Sequence, residues 1–421
     1  MKIILVNTSE RTGGAGIACN RLMKALNNAG HQAMMLVRDK QTDDPNVVSV
    51  NTCAWTKKIN RMRFIWERVV IFLTNRFSKK NLFAVSIADT GIDINNHPLI
   101  QEADIIHLHW INQGFLSLAG IKKLIDTKKP IVWTMHDMWP CTGICHHARE
   151  CDNYQEHCGY CFFLKNPKSE DLSYHIFNKK ADVYQSKNIT FVTCSNWLKK
   201  RAEKSALFSG LRLFSVPNPI DTVLFRPMNQ MLCREALNLP TDKQLILFGS
   251  MKVSDKRKGI DYMVKAAELL SQKEGTENIE LVIFGLSDTD LSGLFPFNVN
   301  YIRFLPDEND MISLYNAADV YVTSSLEENL PNTIMEAMTC GTPCIGFNVG
   351  GIPEMIDHKI NGYIAAYKSA EDLAGGMHYV LNEVDLQQFG SAARNKAMQF
   401  YSQNKVAERY VEVYKAMGIE S

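Results

Sequence analysis

The sequence predicts an α/β protein with two doubly wound parallel-sheet domains in tandem, and three observations support this. Short apolar runs rich in Ile and Val alternate with helical patterns, which is typical of parallel strands buried on both faces. The alternation starts again after a proline-bearing stretch at residues 214–221. The chain of 421 residues is also long for a single hydrophobic core. We therefore expect ligands to bind at the carboxyl ends of the strands, with the two domains facing each other across a cleft.

The first domain is expected to span residues 1–217. Its predicted strands cover residues 2–7, 103–110, 130–136 and 189–195. Helical patterns between them cover residues 15–29 and 116–126. Because strands and helices alternate, the strands are expected to be parallel.

The second domain is expected to span residues 218–395. Its predicted strands cover residues 245–250, 280–285, 299–306, 319–325 and 343–348. Helical patterns cover residues 261–270 and 308–317. A longer helical pattern, at residues 388–416, follows near the end of the chain.

The composition is that of a soluble globular protein, with 46% hydrophobic and 22% charged residues. The net charge of +1 is too small to indicate nucleic-acid binding by overall positive charge. Residues 1–14 contain a short apolar run that meets polar residues at once, so they predict a first strand rather than a secretory signal. No run of about eighteen or more apolar residues occurs. We therefore expect a cytoplasmic protein.

The stretch at residues 324–343, SSLEENLPNTIMEAMTCGTP, predicts an anion site. Pro331 is expected in the first turn of a helix, where its missing N–H costs nothing. The backbone N–H groups at this helix start, with the positive end of the helix dipole, suit a diphosphate. These groups belong to Leu330, Asn332 and Thr333. Glu336, about one turn further on, suits a ribose, and Glu328 is expected to face the group attached to the diphosphate. The alternative for this pair of acids is a solvated loop glutamate and a carboxylate that caps the helix.

The same segment, with its neighbours, resembles the donor-binding signature of retaining glycosyltransferases of family 4, which have the GT-B fold. The resemblance rests on Glu328 and Glu336 with NLPNTIM between them, the CGTP turn at residues 340–343, the GG-x-PE segment at residues 350–354, and Asn361-Gly362. It extends through most of the second domain and more loosely through the first. It implies that the last segment, residues 396–421, packs back on the first domain.

The resemblance also implies the roles of individual residues in the second domain. Glu336 is implied to bind the nucleotide ribose and Glu328 the hydroxyls of the transferred sugar. The diphosphate is implied to bind the segment Asn329, Leu330, Pro331, Asn332 and Thr333. Lys258, in RKGID, is implied to neutralise the leaving diphosphate as charge builds on its oxygen.

One position departs from the family's pattern. The family usually has an arginine directly after the glycine that ends the first strand of this domain, whereas this chain has Ser250 after Gly249. Lys252 or Arg257 is expected to take over the contact with phosphate, and the sequence leaves the choice between them open.

In the first domain, the glycine-rich loop at residues 12–16 lies between the first strand and the first helix. Such a loop is often only a tight turn, but the resemblance implies that it lies under the acceptor and the donor phosphate, with Gly14 on the donor side and Gly13 on the acceptor side. His136, in WTMHD, matches a functional histidine of the family. Asp137 is expected either to orient the His136 ring or to cap the following turn.

His107 and His109 are two residues apart on one predicted strand and therefore share a face. They are expected either to point into the cleft, with His109 on the acceptor side, or to be hydrogen-bonded core histidines.

The resemblance implies transfer of a sugar from a nucleotide-sugar donor, with retention of configuration, to a glycan or lipid-diphosphate-linked acceptor. The family's mechanism is described as front-face, so we expect positioning and electrostatics to dominate and no metal to be needed for catalysis. Two alternatives remain at this stage. One is a sugar-nucleotide epimerase or phosphorylase of the same fold, and the other is a non-catalytic sugar-nucleotide-binding partner subunit.

A cysteine-rich insert at residues 141–161 directly follows the WTMHDMWP segment. Cys158 and Cys161 have the spacing that places two thiolates on one tetrahedral ion, and Cys145 and Cys151 complete a four-sulfur set that leaves Cys141 over. The sequence predicts either a structural zinc or free, oxidisable thiols. Similar inserts occur in a bacterial subset of the family linked to capsule, O-antigen or exopolysaccharide synthesis.

The segment Trp55 to Lys80 is basic and aromatic, with eight Lys and Arg residues against a single acid, Glu67. Such a helix predicts peripheral contact with the inner face of the cell membrane, where a lipid-diphosphate acceptor would be reached. Its aliphatic content argues against nucleic acid as the partner. The alternative is an ordinary helix of the first domain with its basic face in water.

Overall fold

The structure, a computed structural model, describes residues 1–185, 188–287, 290–303, 305 and 307–419, and only the backbone of Ser292. The chain forms two compact units. The first unit contains residues 1–219 together with the residues from 406 onward, and the second contains residues 220–405. In the first unit, hydrophobic clusters cover both faces of one sheet, and in the second unit a hydrophobic cluster covers one face of the other sheet.

The first unit contains a seven-stranded sheet of order β3-β2-β1-β4-β5-β6-β7, in which every neighbouring pair is parallel. Its strands are β1 (Lys2–Ser9), β2 (Gln32–Asp39), β3 (Val47–Ser49), β4 (Ile105–Leu108), β5 (Ile131–Met135), β6 (Ile189–Thr193) and β7 (Arg212–Ser215). Its helices up to residue 219 are α1 (Gly13–Asn28), α2 (Ala54–Thr74), α3 (Pro98–Glu102), α4 (Leu118–Asp126), α5 (Leu172–Tyr184) and α6 (Asn196–Glu203). The central strands are buried throughout, as the apolar runs predict.

The second unit contains a six-stranded parallel sheet of order β10-β9-β8-β11-β12-β13. Its strands are β8 (Gln244–Lys252), β9 (Ile279–Leu286), β10 (Val299–Ile302), β11 (Val320–Thr323), β12 (Cys344–Phe347) and β13 (Gly362–Ala365). Its helices are α7 (Gln230–Ala236), α8 (Ile260–Leu270), α9 (Glu308–Ala317), α10 (Asn332–Cys340), α11 (Ile352–Met355), α12 (Ala370–Asn382) and α13 (Leu386–Tyr401). The strand order reverses between β8 and β11, which is where doubly wound sheets bind ligands.

The predicted fold class, α/β with two doubly wound parallel sheets, is confirmed, but three details differ from the sequence prediction. The strand expected at residues 299–306 ends at Ile302, and residues 304 and 306 lie outside the described chain. The helix expected at residues 388–416 is interrupted at Ser402, whose ψ of 145° is extended, so α13 is followed by a separate helix, α14 (Gln403–Lys415).

The third difference concerns the unit boundaries, which lie at 219/220 and 405/406 rather than at 217/218 and 395/396. Residues 396–405 belong to the second unit because α13 packs on α10 and because Ile220 pairs with the chain around Ser402. From Val406 onward the chain packs on the first unit, where Tyr410 and Tyr414 are buried.

Candidate active site

In the second unit, the loops that follow β8 and β11 bring Lys258 and Glu328 together. The Lys258 ammonium forms an ion pair with Oε1 of Glu328, although the two residues are 70 positions apart. Glu328 is half-buried, and Lys258 is the more exposed of the two side chains. The structure therefore places two of the predicted site residues in direct contact.

Contacts between the two loops fix this pair. The Ser324 hydroxyl lies 3.0 Å from the carbonyl oxygen of Lys258 and 2.8 Å from that of Gly259. The backbone N–H of Leu326 donates to the carbonyl of Arg257 at 2.7 Å. The backbones on either side of the ion pair are thus hydrogen-bonded to each other, which limits the movement of both side chains.

The GG-x-PE segment supports the same loop from the other side. Gly350 has a φ of +61°, and a Cβ there would lie 1.8 Å from the carbonyl oxygen of Glu328. The N–H of Gly351 donates to the carbonyl of Asn329 at 2.8 Å. Only glycine fits at position 350, because any side chain would displace the Glu328 backbone.

Helix α10 starts one residue later than predicted. Pro331 is the residue before the helix, in extended conformation, and the first helical residue is Asn332. No side-chain cap covers the first amides of α10, in contrast to several other helices of the chain. Asn329, Leu330 and Pro331 are buried, while Asn332 and Thr333 are half-buried.

Glu336 is buried within α10 and is therefore not a solvated carboxylate. The Tyr315 hydroxyl, on α9, donates to its Oε2 at 2.8 Å. Burial and the nearby Glu336 carboxylate raise the pKa of Tyr315 well above its usual value, so this hydroxyl stays protonated and remains a donor. Sequence reasoning missed Tyr315, because no local pattern signals a contact between two different helices.

The position of the family's arginine is occupied by Ser250, whose hydroxyl is buried and has no hydrogen-bond partner in the structure. Of the two proposed replacements, Arg257 makes hydrogen bonds of 2.6–3.2 Å to both oxygens of the Asp255 carboxylate. Lys252 ends β8 with an exposed side chain. Which of the two contacts phosphate stays a prediction.

In the first unit, the glycine-rich loop leads from β1 into α1. Gly13 has a φ of +77° and is the first residue of the helix, followed by Gly14. Thr12 precedes the helix without a side-chain cap. The loop thus has the backbone geometry that the glycines predict, and its ligand stays a prediction.

Three histidines lie together near the carboxyl ends of β4 and β5. Nδ1 of His109 lies 3.0 Å from Nε2 of His136, and the rings of His107 and His109 are 4.4 Å apart. Burial lowers the pKa of His136 to about 4 and that of His107 to about 3, and it lowers the pKa of His109 well below the usual value. All three rings are therefore neutral at pH 7.

His107 is a hydrogen-bonded core histidine, one of the two alternatives for this pair. Its Nδ1 lies 2.8 Å from the Tyr414 hydroxyl, and its Nε2 lies 2.7 Å from the Thr134 hydroxyl. Nε2 of His109, in contrast, is buried without a hydrogen-bond partner in the structure. His109 therefore supports His136 through one nitrogen only.

Asp137 links the histidine site to the cysteine-rich insert. Its Oδ1 accepts a hydrogen bond from the Trp139 N–H at 2.8 Å, which is the predicted cap of the following turn. Its Oδ2 accepts from Nε1 of Trp110 at 3.0 Å and lies 2.7 Å from Nδ1 of His146. Burial would raise the pKa of Asp137, but His146, His147 and the Trp139 N–H together outweigh it, so the pKa falls to about 2 and Asp137 is a carboxylate.

The insert brings the four predicted cysteines to one small cavity. Its walls include Cys145, Cys151, Cys158 and Cys161, but not Cys141. All eleven cysteines of the chain carry free thiols. Within the described ranges, no group of three or more His, Cys, Asp or Glu side chains could hold a metal ion as it stands. The predicted zinc therefore stays a prediction.

Helix α2 covers most of the basic aromatic segment and exposes its apolar side. Its inner face buries Asn60, Glu67, Arg68 and Ile71. The exposed stripe consists of Trp55, Ile59, Met62, Ile65, Trp66, Val69 and Leu73. An ordinary helix of the first domain would bury its apolar side, which holds for Ile71 but not for the stripe. Among the described residues, no helix combines the length and apolar character needed to cross a membrane.

Comparisons with known proteins agree with this architecture. A sequence model described as "Glycosyltransferase Family 4" matches residues 12–224, and one described as "Glycosyl transferases group 1" matches residues 232–396. An uncharacterised glycosyltransferase of Methanocaldococcus jannaschii is 25% identical, over 99% of this chain and 98% of the relative. The Escherichia coli UDP-Gal:alpha-D-GlcNAc-diphosphoundecaprenol alpha-1,3-galactosyltransferase is 23% identical, over 76% of this chain and 77% of the relative.

Among solved structures, the sucrose-phosphate synthase of Thermosynechococcus elongatus matches with a TM-score of 0.69 and 18% identity, over 99% of this chain and 98% of that one. Two doubly wound domains with these sequence relatives define a glycosyltransferase of GT-B fold, in the hexosyltransferase class. Within that class, the chain belongs to glycosyltransferase family 4.

Proposed function

We propose that this enzyme moves a sugar from a nucleoside-diphosphate donor to a lipid-diphosphate-linked glycan, with retention of anomeric configuration, during bacterial surface-polysaccharide synthesis. The observation that carries the proposal is the ion pair between Lys258 and Glu328, held next to the start of α10. The activity for which the E. coli relative is named supports the choice of donor and acceptor class.

The donor is assigned to the second unit. The diphosphate binds at the uncapped start of α10, where amide groups and the helix dipole favour an anion. Glu336, further along α10, accepts hydrogen bonds from the ribose. Tyr315 holds the Glu336 carboxylate in one orientation, so the ribose meets a preorganised acceptor.

Lys258 and Glu328 act at the bond that breaks. The Lys258 ammonium stabilises the charge that develops on the leaving phosphate oxygen, and Glu328 accepts from a hydroxyl of the transferred sugar. We propose a front-face reaction, in which Glu328 binds the transferred sugar without attacking it and the leaving phosphate takes the acceptor proton. We propose that these groups act without a catalytic metal.

The first unit is assigned to the acceptor. His136 is neutral at pH 7 and offers a hydrogen bond to the sugar or the reacting hydroxyl, while His109 restrains its ring. Asp137 is tied to Trp110, Trp139 and His146, so it acts by holding the chain around His136 rather than by accepting a proton.

The test incubates the purified enzyme with UDP-, GDP- and ADP-sugars and an undecaprenyl-diphosphate-linked sugar. Free nucleoside diphosphate and glycolipid are followed together, and the anomeric configuration of the product is read by NMR. We expect acceptor-dependent turnover of one donor with retention, and a loss of donor affinity of about tenfold or more in Glu336→Gln.

Two outcomes would overturn the proposal. Binding of a donor without turnover on any acceptor would favour a non-catalytic partner subunit. An inverted product would exclude the front-face reaction, even if the transferase activity itself were present.

We also propose that the exposed stripe of α2 rests on the inner face of the cell membrane, where such an acceptor resides. Trp55 and Trp66 are 71% and 57% exposed, and Phe77, just beyond the helix, is 70% exposed. The exposed basic residues around them are Lys57, Lys58, Arg61, Arg76, Lys79 and Lys80. Glu67, the single acid of this segment, is buried and paired with Arg68, so the surface presents only positive charge. Aromatic and basic groups together match an anionic lipid surface.

We expect the wild-type chain to cosediment with phosphatidylglycerol vesicles, and less with phosphatidylcholine vesicles or at high salt. Trp55→Glu/Trp66→Glu is expected to lower the partition coefficient between vesicles and water at least about tenfold. The variant loses the two aromatic rings that would insert into the lipid surface. Leu232→Glu, at an exposed apolar position on α7, serves as the matched control. A concentration-dependent dimer that the double variant abolishes, without vesicle binding by the wild type, would show that the stripe is a protein interface instead.

A further inference from the structure

The cysteine-rich insert gathers four thiols around one space. Cys145, Cys158 and Cys161 are buried and Cys151 is half-buried, and all four line the same cavity of about 20 Å³. A space of this size holds about one water molecule or one ion. The fifth cysteine of the insert, Cys141, points elsewhere, because its Sγ lies 3.2 Å from the carbonyl oxygen of Met138.

We propose that Cys145, Cys151, Cys158 and Cys161 bind a single structural zinc ion. Zinc prefers four sulfur ligands in a tetrahedron, and Cys158 and Cys161 have the spacing that places two of them on one ion. As the side chains stand, they do not form an ion-holding set, so binding includes rotation of the thiols toward the centre of the cavity.

The backbone of the insert shows why an added cross-link would matter. Between β5 and α5 the described chain contains only two short 3-10 turns, Trp139–Cys141 and Asn153–Gln155. Most of its backbone hydrogen bonds close local turns, such as that from the Cys151 N–H to Ala148, and a few reach neighbouring segments, such as that from the Ser86 N–H to Ile144. A metal that joins four points of such a segment contributes directly to its folding.

The surroundings of the cavity suit a negatively charged metal cluster. The N–H of Gly143 donates to Sγ of Cys158 at 3.2 Å, the type of contact that orients a thiolate ligand. Nζ of the buried Lys180 donates to the carbonyls of Thr142 and Gly143, each at 2.9 Å, and both residues line the cavity. Four thiolates and one Zn²⁺ carry a net charge of −2, which a protonated Lys180 would partly offset.

The ion would also stabilise the surroundings of the candidate acceptor site. His146, one residue after Cys145, contacts Asp137 directly beside His136. A zinc ion on Cys145 would therefore restrain the position of His146. This effect on activity rests on the proposed function, whereas metal binding itself does not.

The test measures metal in full-length protein purified without chelators from zinc-supplemented cells. We expect close to one zinc per chain by elemental analysis, and cobalt substitution that gives the intense near-ultraviolet absorption of sulfur–cobalt bonds. Cys158→Ala and Cys161→Ala are expected to lose the metal, whereas Cys141→Ala, a buried cysteine of the same insert, is expected to retain it.

The wild-type protein alone provides a second readout, in case the variants fail to fold. A zinc chelator is expected to lower the melting temperature, and added zinc is expected to restore it. Wild-type protein without stoichiometric zinc, zinc content unchanged in Cys158→Ala and Cys161→Ala, or a disulfide among the four cysteines in unreduced peptide maps would each overturn the proposal. These measurements need no turnover, so they are independent of whether the transferase assay succeeds.

Discussion

Lys258→Met is expected to lower kcat by about 10²–10³-fold, the effect typical of removing one preorganised group that stabilises transition-state charge. Methionine keeps the length of the side chain but cannot balance charge on the leaving diphosphate. KM for the donor is expected to change much less than kcat, because the charge grows mainly in the transition state. Steady-state kinetics with the donor found in the transferase assay measure both constants.

The matched control is Lys256→Met, which removes an exposed lysine from the same short turn. It is expected to leave kcat within about twofold of wild type, as for a surface substitution away from the site. Lys258→Met also leaves the half-buried Glu328 without this cation, so Lys258→Met/Glu328→Gln is measured alongside. If Lys258→Met folds and retains most of its kcat, Lys258 is a structural partner of Glu328 and not a catalytic residue.

The sequence predicted the parts of the site that depend on short-range patterns. The strand endings, the helix start near Pro331 and the spacing of Glu328 and Glu336 lie within single segments, whose geometry follows from local residue preferences. The one-residue shift of α10 arises because Pro331 takes an extended conformation before the helix instead of its first helical position.

The contacts that hold the site in place join distant segments, and no local pattern predicts them. Tyr315 reaches Glu336 from another helix, and Gly350 packs against the backbone of Glu328. The break at Ser402 was also missed, because neither glycine nor proline marks it. It arises where Ile220 pairs with the chain on both sides of Ser402.

The histidine site has a consequence for stability that can be measured without any substrate. His107, His109 and His136 are packed among Thr134, Tyr410, Tyr414, Cys194 and Asp137. In the unfolded chain each ring has a pKa near 6.5, whereas burial lowers the folded value to about 4 for His136 and about 3 for His107. Below about pH 6.5 the unfolded chain therefore binds protons that the folded chain does not.

The free energy of unfolding of the first unit is thus expected to be highest above pH 6.5 and to fall as the pH drops toward the folded pKa values. At pH 5, His107 and His136 each lower it by about 2 kcal/mol, and His109 acts in the same direction. Together these contributions are a large fraction of the roughly 5–15 kcal/mol by which a typical domain is stable. All six tryptophans lie in the first unit, so denaturant unfolding followed by tryptophan fluorescence at pH 7 and pH 5 reports on this unit.

His107→Gln separates this effect from general acid destabilisation. The variant is less stable at pH 7, because hydrogen bonds to Tyr414 and Thr134 are altered, but the difference between pH 7 and pH 5 is expected to shrink by about 2 kcal/mol, since one titrating ring is gone. His358→Gln, an exposed position in the second unit, is expected to leave the difference unchanged. A wild-type difference below about 1 kcal/mol, or one that His107→Gln leaves intact, would mean that the three rings accept protons in the folded state as readily as in water.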